Sequence, residues 1–323
     1  MKNFHFSYDA YVTAASMNNG TAIFAFGDGA ISLLPSPYEK PKIHQASEGV
    51  IHALSPHNKA FLFGDDHGQL NIMREDGSIT KIHQFQHEWI EHIVFSQRLN
   101  LSAIVAGKTV ALWNGNKLHE FSDHPSTVSG VAFSPEGNRI AAAHYNGITI
   151  WSPDSDKPIN KHVWKGSHIS ITWSPDMKYI VTGTQEMDLH VFDLPNNQHL
   201  YMSGYIAKIK SLSWNCTGDK LFTSGSTQVS GWNFSGKGPA GKPPLLFGAE
   251  MDALVTQVAH HPKENILAAG YDNGALLLID TETGQHISVL QEDEDVITCC
   301  KWDTHFDYLL YGTKRGTYGI IGF

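Results

Sequence analysis

Short apolar runs of four to seven residues, punctuated at regular intervals by clusters of Gly, Asn, Asp and Pro, fill the chain, and the 3.6-residue period of an amphipathic helix is scarce. The pattern predicts many short strands and an all-β fold. It also repeats. AFSPEGNRIAAAHYNGITIW at 132–151 aligns with TWSPDMKYIVTGTQEMDLHVF at 172–192 and with AHHPKENILAAGYDNGALLLI at 259–279, and each copy reads strand, tight turn, strand, Gly-bounded turn, strand. The bulky residue that closes the first strand of each copy forms a column of Met17, Leu54, Phe95, Phe133, Trp173, Trp214, His260 and Trp302, spaced about 41 residues apart on average.

A period near 40 residues with four strands per copy is the spacing of WD40 propeller blades. GVAFSPEG at 130–137, AGYDNG at 269–274, the strand-ending Trp113, Trp151 and Trp232, and the loop histidines His87, His124 and His168 carry the likeness. Over essentially its whole length the chain resembles the WD40-repeat family, in a layout similar to stand-alone bacterial WD-repeat proteins. The family's Trp-Asp pair is degenerate here: Trp113-Asn114, Trp151-Ser152, Phe192-Asp193, Trp232-Asn233 and Ile279-Asp280. Trp302-Asp303 aligns with a first strand and is a false match. The resemblance implies a hydrogen-bonded brace of loop His, strand Ser or Thr, turn Asp and Trp. The nearest sets are His168, Thr182, Asp188 with Phe192, and His124, Ala143, Asn146 with Trp151. Neither is intact, so packing is expected to outweigh polar bracing. Eight first strands predict one propeller domain over 1–323 with eight four-stranded blades, NFHFSY at 3–8 supplying the strand that the last copy lacks and closing the ring. Seven blades is the alternative, and it would require the first or second copy to be something else.

Composition narrows the function. The net charge is −9, from 23 basic and 32 acidic residues, which argues against a sequence-blind grip on nucleic acid or anionic lipid. The longest strongly aliphatic stretch, ALLLI at 275–279, is far short of the roughly 20 residues that cross a bilayer, and the first residues lack the h-region of a secretory signal. A cytoplasmic protein is expected, with no membrane and no nucleic acid partner. Cys216, Cys299 and Cys300 offer neither a disulfide framework nor a zinc spacing.

Several motifs carry less chemistry than their letters suggest. GKGPAGKPP at 236–244 satisfies G-x4-G-K, but Pro243 and Pro244 stand where a phosphate loop needs a hydroxyl and a helix start, so the segment reads as a long connection within the sixth blade. His83, His87, His92 and the pair His260-His261 lack the convergence of a zinc site. No nucleophile elbow is present. No cofactor, metal site or catalytic residue is expected. The loops between blades and the turns between second and third strands, 74 positions in all, hold 16 of the 32 acids and 4 of the 23 basic residues. The same loops contain Tyr11, Trp89, Tyr145, Trp164, Tyr205 and Tyr271, with Asp65, Asp66, Glu88, Glu186, Asp188 and Asp272 among their acids. Turns favour Asp for local reasons. Even so, acids interleaved with exposed aromatics suit a docking face for a basic or mixed-charge protein segment. The expected role is a non-enzymatic scaffold or adaptor; the alternative is a propeller hydrolase or metal-binding protein with its site at the channel mouth.

Overall fold

A computed structural model of the chain describes residues 2–121, 124–236, 238–303, 305 and 307–323. Ser122 and Asp123 of the loop at 122–127, and Lys237 of the segment at 236–244, lie outside the described residues. The N-terminal strand is β1 (Lys2–Ser7). Three four-stranded sheets follow: β2 (Val12–Asn18), β3 (Thr21–Phe26), β4 (Ala30–Leu34) and β5 (Lys42–Gln45); β6 (Ile51–His57), β7 (Ala60–Asp65), β8 (Gln69–Arg74) and β9 (Ile79–Gln84); β10 (Ile90–Ser96), β11 (Leu101–Ala106), β12 (Thr109–Trp113) and β13 (Leu118–Phe121). A six-stranded sheet comes next, of β14 (Val128–Phe133), β15 (Ile140–Trp151), β16 (Pro158–Trp173), β17 (Tyr179–Thr184), β18 (Leu189–Asp193) and β19 (Gln198–Met202). Two more four-stranded sheets hold β20 (Leu212–Trp214), β21 (Lys220–Thr223), β22 (Val229–Asn233) and β23 (Leu245–Phe247), then β24 (Val255–His260), β25 (Ile266–Tyr271), β26 (Leu276–Asp280) and β27 (His286–Leu290). In the last, β28 (Ile297–Trp302), β29 (Tyr308–Thr313) and β30 (Thr317–Gly322) are joined by β1, in the order β1-β30-β29-β28.

The fold is all-β, a propeller of antiparallel meanders, and the described residues contain no helix. Contacts divide the chain into two compact units, Met1–Val128 with Thr298–Phe323, and Ser129–Ile297. All eight residues of the hydrophobic column fall on first strands, seven of them at the last or next-to-last position and Leu54 at the middle of β6. The strands nonetheless form seven sheets, which corrects the expectation of eight separate blades and agrees with the alternative count. The first and second copies are complete sheets. The merger falls on the fourth and fifth, because β16 runs 16 residues without a break, pairing with β15 through its first half and with β17 through its second. The sheet folds on itself there, so that Ala141, Ala143, Ile148 and Ile150 pack against Trp173, Ile180 and Phe192.

Second and third strands read as continuous apolar runs because both faces are covered: every residue of β3 and β4 is buried. Ile23, Ala25, Ile31 and Leu33 pack on Ile51, Leu54, Phe61 and Phe63 of the next sheet. Hairpin turns supply the required backbone; Asn19 and Gly20 have φ of 49° and 79°, the pair of positive angles that a type I′ turn needs. The N-terminal strand closes the last sheet in the expected way, with Asn3 opposite Ile321 and Phe6 opposite Tyr318. Trp302 lies on the first strand β28, and 236–244 joins β22 to β23; the amide of Lys242 donates to the Pro239 carbonyl in a turn.

Polar bracing is more extensive than the degenerate repeats suggest. His168 Nδ1 is 2.7 Å from Thr182 Oγ1 and its Nε2 is 3.2 Å from the Trp164 carbonyl. A carbonyl only accepts, so Nε2 carries the proton and Nδ1 accepts from the threonine. In the fifth sheet Trp232 Nε1 donates to the Tyr205 hydroxyl at 2.7 Å, and that hydroxyl is 2.7 Å from Thr223 Oγ1. A tyrosine thus occupies the place that the resemblance gives to histidine.

Candidate functional site: two aromatic and acidic surface patches

In the first unit Trp89 follows the loop that leads into β10 and is 54% exposed. Its indole stacks on His52 with centroids 5.4 Å apart and planes 15° from parallel. His87, Glu88, Trp89, Glu91, Gly107 and Thr127 line a shallow depression of about 230 Å³. The loop is pinned from the neighbouring hairpin, where the Gly68 carbonyl accepts from the Phe85 amide at 2.9 Å. Tyr11, 44% exposed, lies at the entrance to β2, where its carbonyl accepts from the Gly27 amide at 2.8 Å.

In the second unit Trp164 and Tyr145 lie on strands and not in loops, which corrects the sequence reading of 144–147 and 164–168. Between the pairs Tyr145 to Ser167 and Gly147 to Val163 the register of β15 and β16 slips, and Trp164 sits in that bulge. Bulges re-aim side chains. The indole stacks on His190 at 4.3 Å and on His199 at 5.0 Å, and these imidazoles are bonded to each other at 2.9 Å. Tyr145 is half exposed, and Glu186 is exposed beside Gly166.

Five of the remaining eight candidates are engaged within the fold. Tyr271 is fully buried among Leu267, Ala269 and Val258, and burial pushes its phenol up to about 12. The signal was present, since Leu267, Ala269 and Tyr271 alternate onto one face of β25. Tyr205 is spent in its brace, and burial likewise pushes its phenol up to about 12. Asp65 is fully buried and accepts from Ser47 Oγ at 2.6 Å and from the amides of His67 and Gln69. Asp188, also buried, accepts from Thr184 Oγ1 at 2.6 Å. Asp272, half-buried, accepts from the Leu254 amide at 2.8 Å. These carboxylates hold turns together. Asp66 is half-buried, and Glu88 and Glu186 remain in solvent with the indoles.

The imidazoles beneath the second patch set a pH dependence. Burial lowers His168, lowers His190 to about 3, and lowers His260 in the sixth sheet to about 4, from an ordinary 6.5. Between those values the unfolded chain binds protons that the folded chain refuses, so stability rises with pH and levels off above about 6.5. Each such group costs the fold up to about 1.4 kcal/mol per pH unit below that point. Denaturation midpoints are expected to fall from pH 7 to pH 5, before carboxylates titrate, and His190→Gln is expected to flatten the slope. A flat profile would show that these imidazoles are protonated in the folded state.

Residues 115–152 match the family model "WD domain, G-beta repeat", and residues 245–305 match that of the anaphase-promoting complex subunit 4 WD40 domain. The chain is 25% identical over 216 residues to a guanine nucleotide-binding protein subunit beta of Zea mays, covering 60% of this chain and 56% of that protein. It is 20% identical over 284 residues to autophagy-related protein 16 of Arabidopsis thaliana, covering 85% and 56%. With the COMPASS component SWD3 of Saccharomyces cerevisiae it shares 25% identity over 167 residues, covering 50% and 51%. The chain spans about half the length of the curated relatives it matches. Among solved structures, the computationally designed Ika8 protein superposes with a TM-score of 0.80 at 16% identity, over 98% of each chain.

Proposed function

The chain belongs to the WD40-repeat β-propeller family, and we propose on that premise that it is a non-enzymatic adaptor that docks a protein segment of basic or mixed charge. Two indoles carry the reading. Trp89 and Trp164 are large apolar groups left open to water, yet each is immobilised by stacking on imidazole, so little side-chain entropy is lost when a partner covers it. Glu88 and Glu91 beside one indole, and Glu186 in the turn from β17 to β18 beside Gly166 near the other, supply the field that steers a cationic segment inward. The relatives' names describe a guanine nucleotide-binding protein subunit, an autophagy-related protein and a COMPASS component, and two of these names are those of parts of assemblies, which supports an interaction role.

Affinity purification from the native cell supplies the partner, and kinetics then test the face. Trp89→Ala or Trp164→Ala is expected to speed dissociation at a cost of about 2 kcal/mol or more. Raising salt from about 50 to about 500 mM is expected to slow association more than it alters dissociation, because the Debye length falls below about 5 Å. A partner that binds both variants like wild type would place the docking surface elsewhere.

A further inference from the structure

At the far ends of the first strands from these loops, in the first unit, four sheets enclose a cavity of about 640 Å³. Its walls come from the hairpin at Asn18 and Asn19, the hairpin at Pro56 and Asn58, the strand and turn from Ile93 to Asn100, and Lys301 on β28. In the third sheet the Trp89 patch precedes β10 and Gln97 follows it, so the cavity lies about 20 Å from that patch along a seven-residue strand.

Its chemistry is the reverse of the chain's average. In a protein with net charge −9, the described residues that line this cavity include no carboxylate. They include one lysine, and among the described residues Lys301 has no acidic partner. Asp303, on the same segment, is buried and committed to the amides of His305 and Tyr308. The lysine is open to the water of the cavity yet crowded by protein, and that desolvation lowers its ammonium from the ordinary range. Around it stand the carboxamides of Asn19, Asn58, Gln97 and Asn100. Three of these have a local reason to be asparagine, since Asn19, Asn58 and Asn100 have φ of 49°, 53° and 52°. Neither Gln97 nor Lys301 has such a reason. An unpaired ammonium in a polar recess gains most from an anion, and carboxamides both donate to and accept from hydroxyl groups. The volume lies within the range of small-molecule sites.

We propose that this cavity binds a small polar organic anion, a carboxylate or phosphate ester that also carries hydroxyl groups, with Lys301 Nζ on the anionic group and the carboxamides on the hydroxyls. Nothing in this depends on the protein-docking role of the opposite strand ends. Calorimetric titration of the whole chain with gluconate and with glucose 6-phosphate separates the two sources of charge, and uncharged glucose serves as the control. At least one anion is expected to bind saturably at one site below about 10 mM, and glucose is expected to bind at least tenfold more weakly. Lys301→Met should weaken the anion at least tenfold. Asn100→Asp, which keeps a residue suited to its turn and adds a like charge, should weaken it comparably. The absence of saturable binding by both anions, or binding that glucose or both variants match, would overturn the proposal.

Discussion

Removing residues 1–8 is expected to lower the thermal midpoint by roughly 6–10 °C and to make the protein aggregate as its concentration rises. The truncation strips β1 from β30, and with it six residues of pairing. Phe4 loses its edge contact with Tyr38 at 5.1 Å, Phe6 its contact with Tyr318 at 5.6 Å, and Tyr8 its contact with Phe26 at 4.6 Å. The Tyr8 hydroxyl also gives up Asp28, 2.9 Å away, and His5 its bond to the Tyr311 hydroxyl. Three half-buried aromatic side chains, at about 1–1.5 kcal/mol each, amount to about 3–5 kcal/mol, and a chain of this size loses about 2 °C per kcal/mol. Aggregation follows because β30 becomes an open edge with unpaired amides and carbonyls. Scanning calorimetry with light scattering at two concentrations reads both effects, and an unchanged midpoint would mean that β1 contributes nothing to the last sheet.

Gly68→Ala is expected to destabilise the fold by about 3–4 kcal/mol, with Gly20→Ala as the comparison at about 1 kcal/mol. Both glycines have left-handed backbone, with φ of 76° and 79°, so both variants bear the same conformational strain. They differ in surroundings. A Cβ at Gly20 meets nothing within 4 Å, whereas at Gly68 it would overlap the Phe85 carbonyl oxygen and stand 2.6 Å from that of Glu88. Those atoms are backbone of the loop that ends at Trp89, and they move only if the loop moves. The Trp89 patch should therefore be disturbed along with stability. Urea midpoints of the two variants decide it; equal shifts would show that the loop yields freely and is not held by the hairpin.

The contrast shows what the chain reveals when read as letters. Strand identity is legible because β3, β7 and β25 are apolar runs bounded by Asn and Gly, and the closing strand is legible because Phe4, Phe6 and Tyr8 alternate. The merger of the fourth and fifth copies is not, since it depends on whether Lys165 and Gly166 break a ladder or bulge within it, and Gly166 accommodates the bulge at φ 130°. Site residues divide along a similar line. Asp65 and Asp188 look like surface acids until their backbone and hydroxyl donors are seen, and Tyr205 looks like an anchor until Trp232 is found donating to it. The anion cavity is invisible in the sequence because its walls come from hairpins some 40 residues apart, each of which has an ordinary reason to contain asparagine.

The continuous β16 has a bearing on how the chain opens. In a repeat array whose units touch only through neighbouring faces, each unit can fray at the cost of its own interior and one interface. Residues 128–202 lack that freedom, because one strand donates and accepts hydrogen bonds for both halves, and lifting either half strains the ladder of the other. The two copies are therefore expected to melt together as a single cooperative block, and Trp164 rides on the strand that couples them. A partner that clamps this indole would tighten two repeats at once.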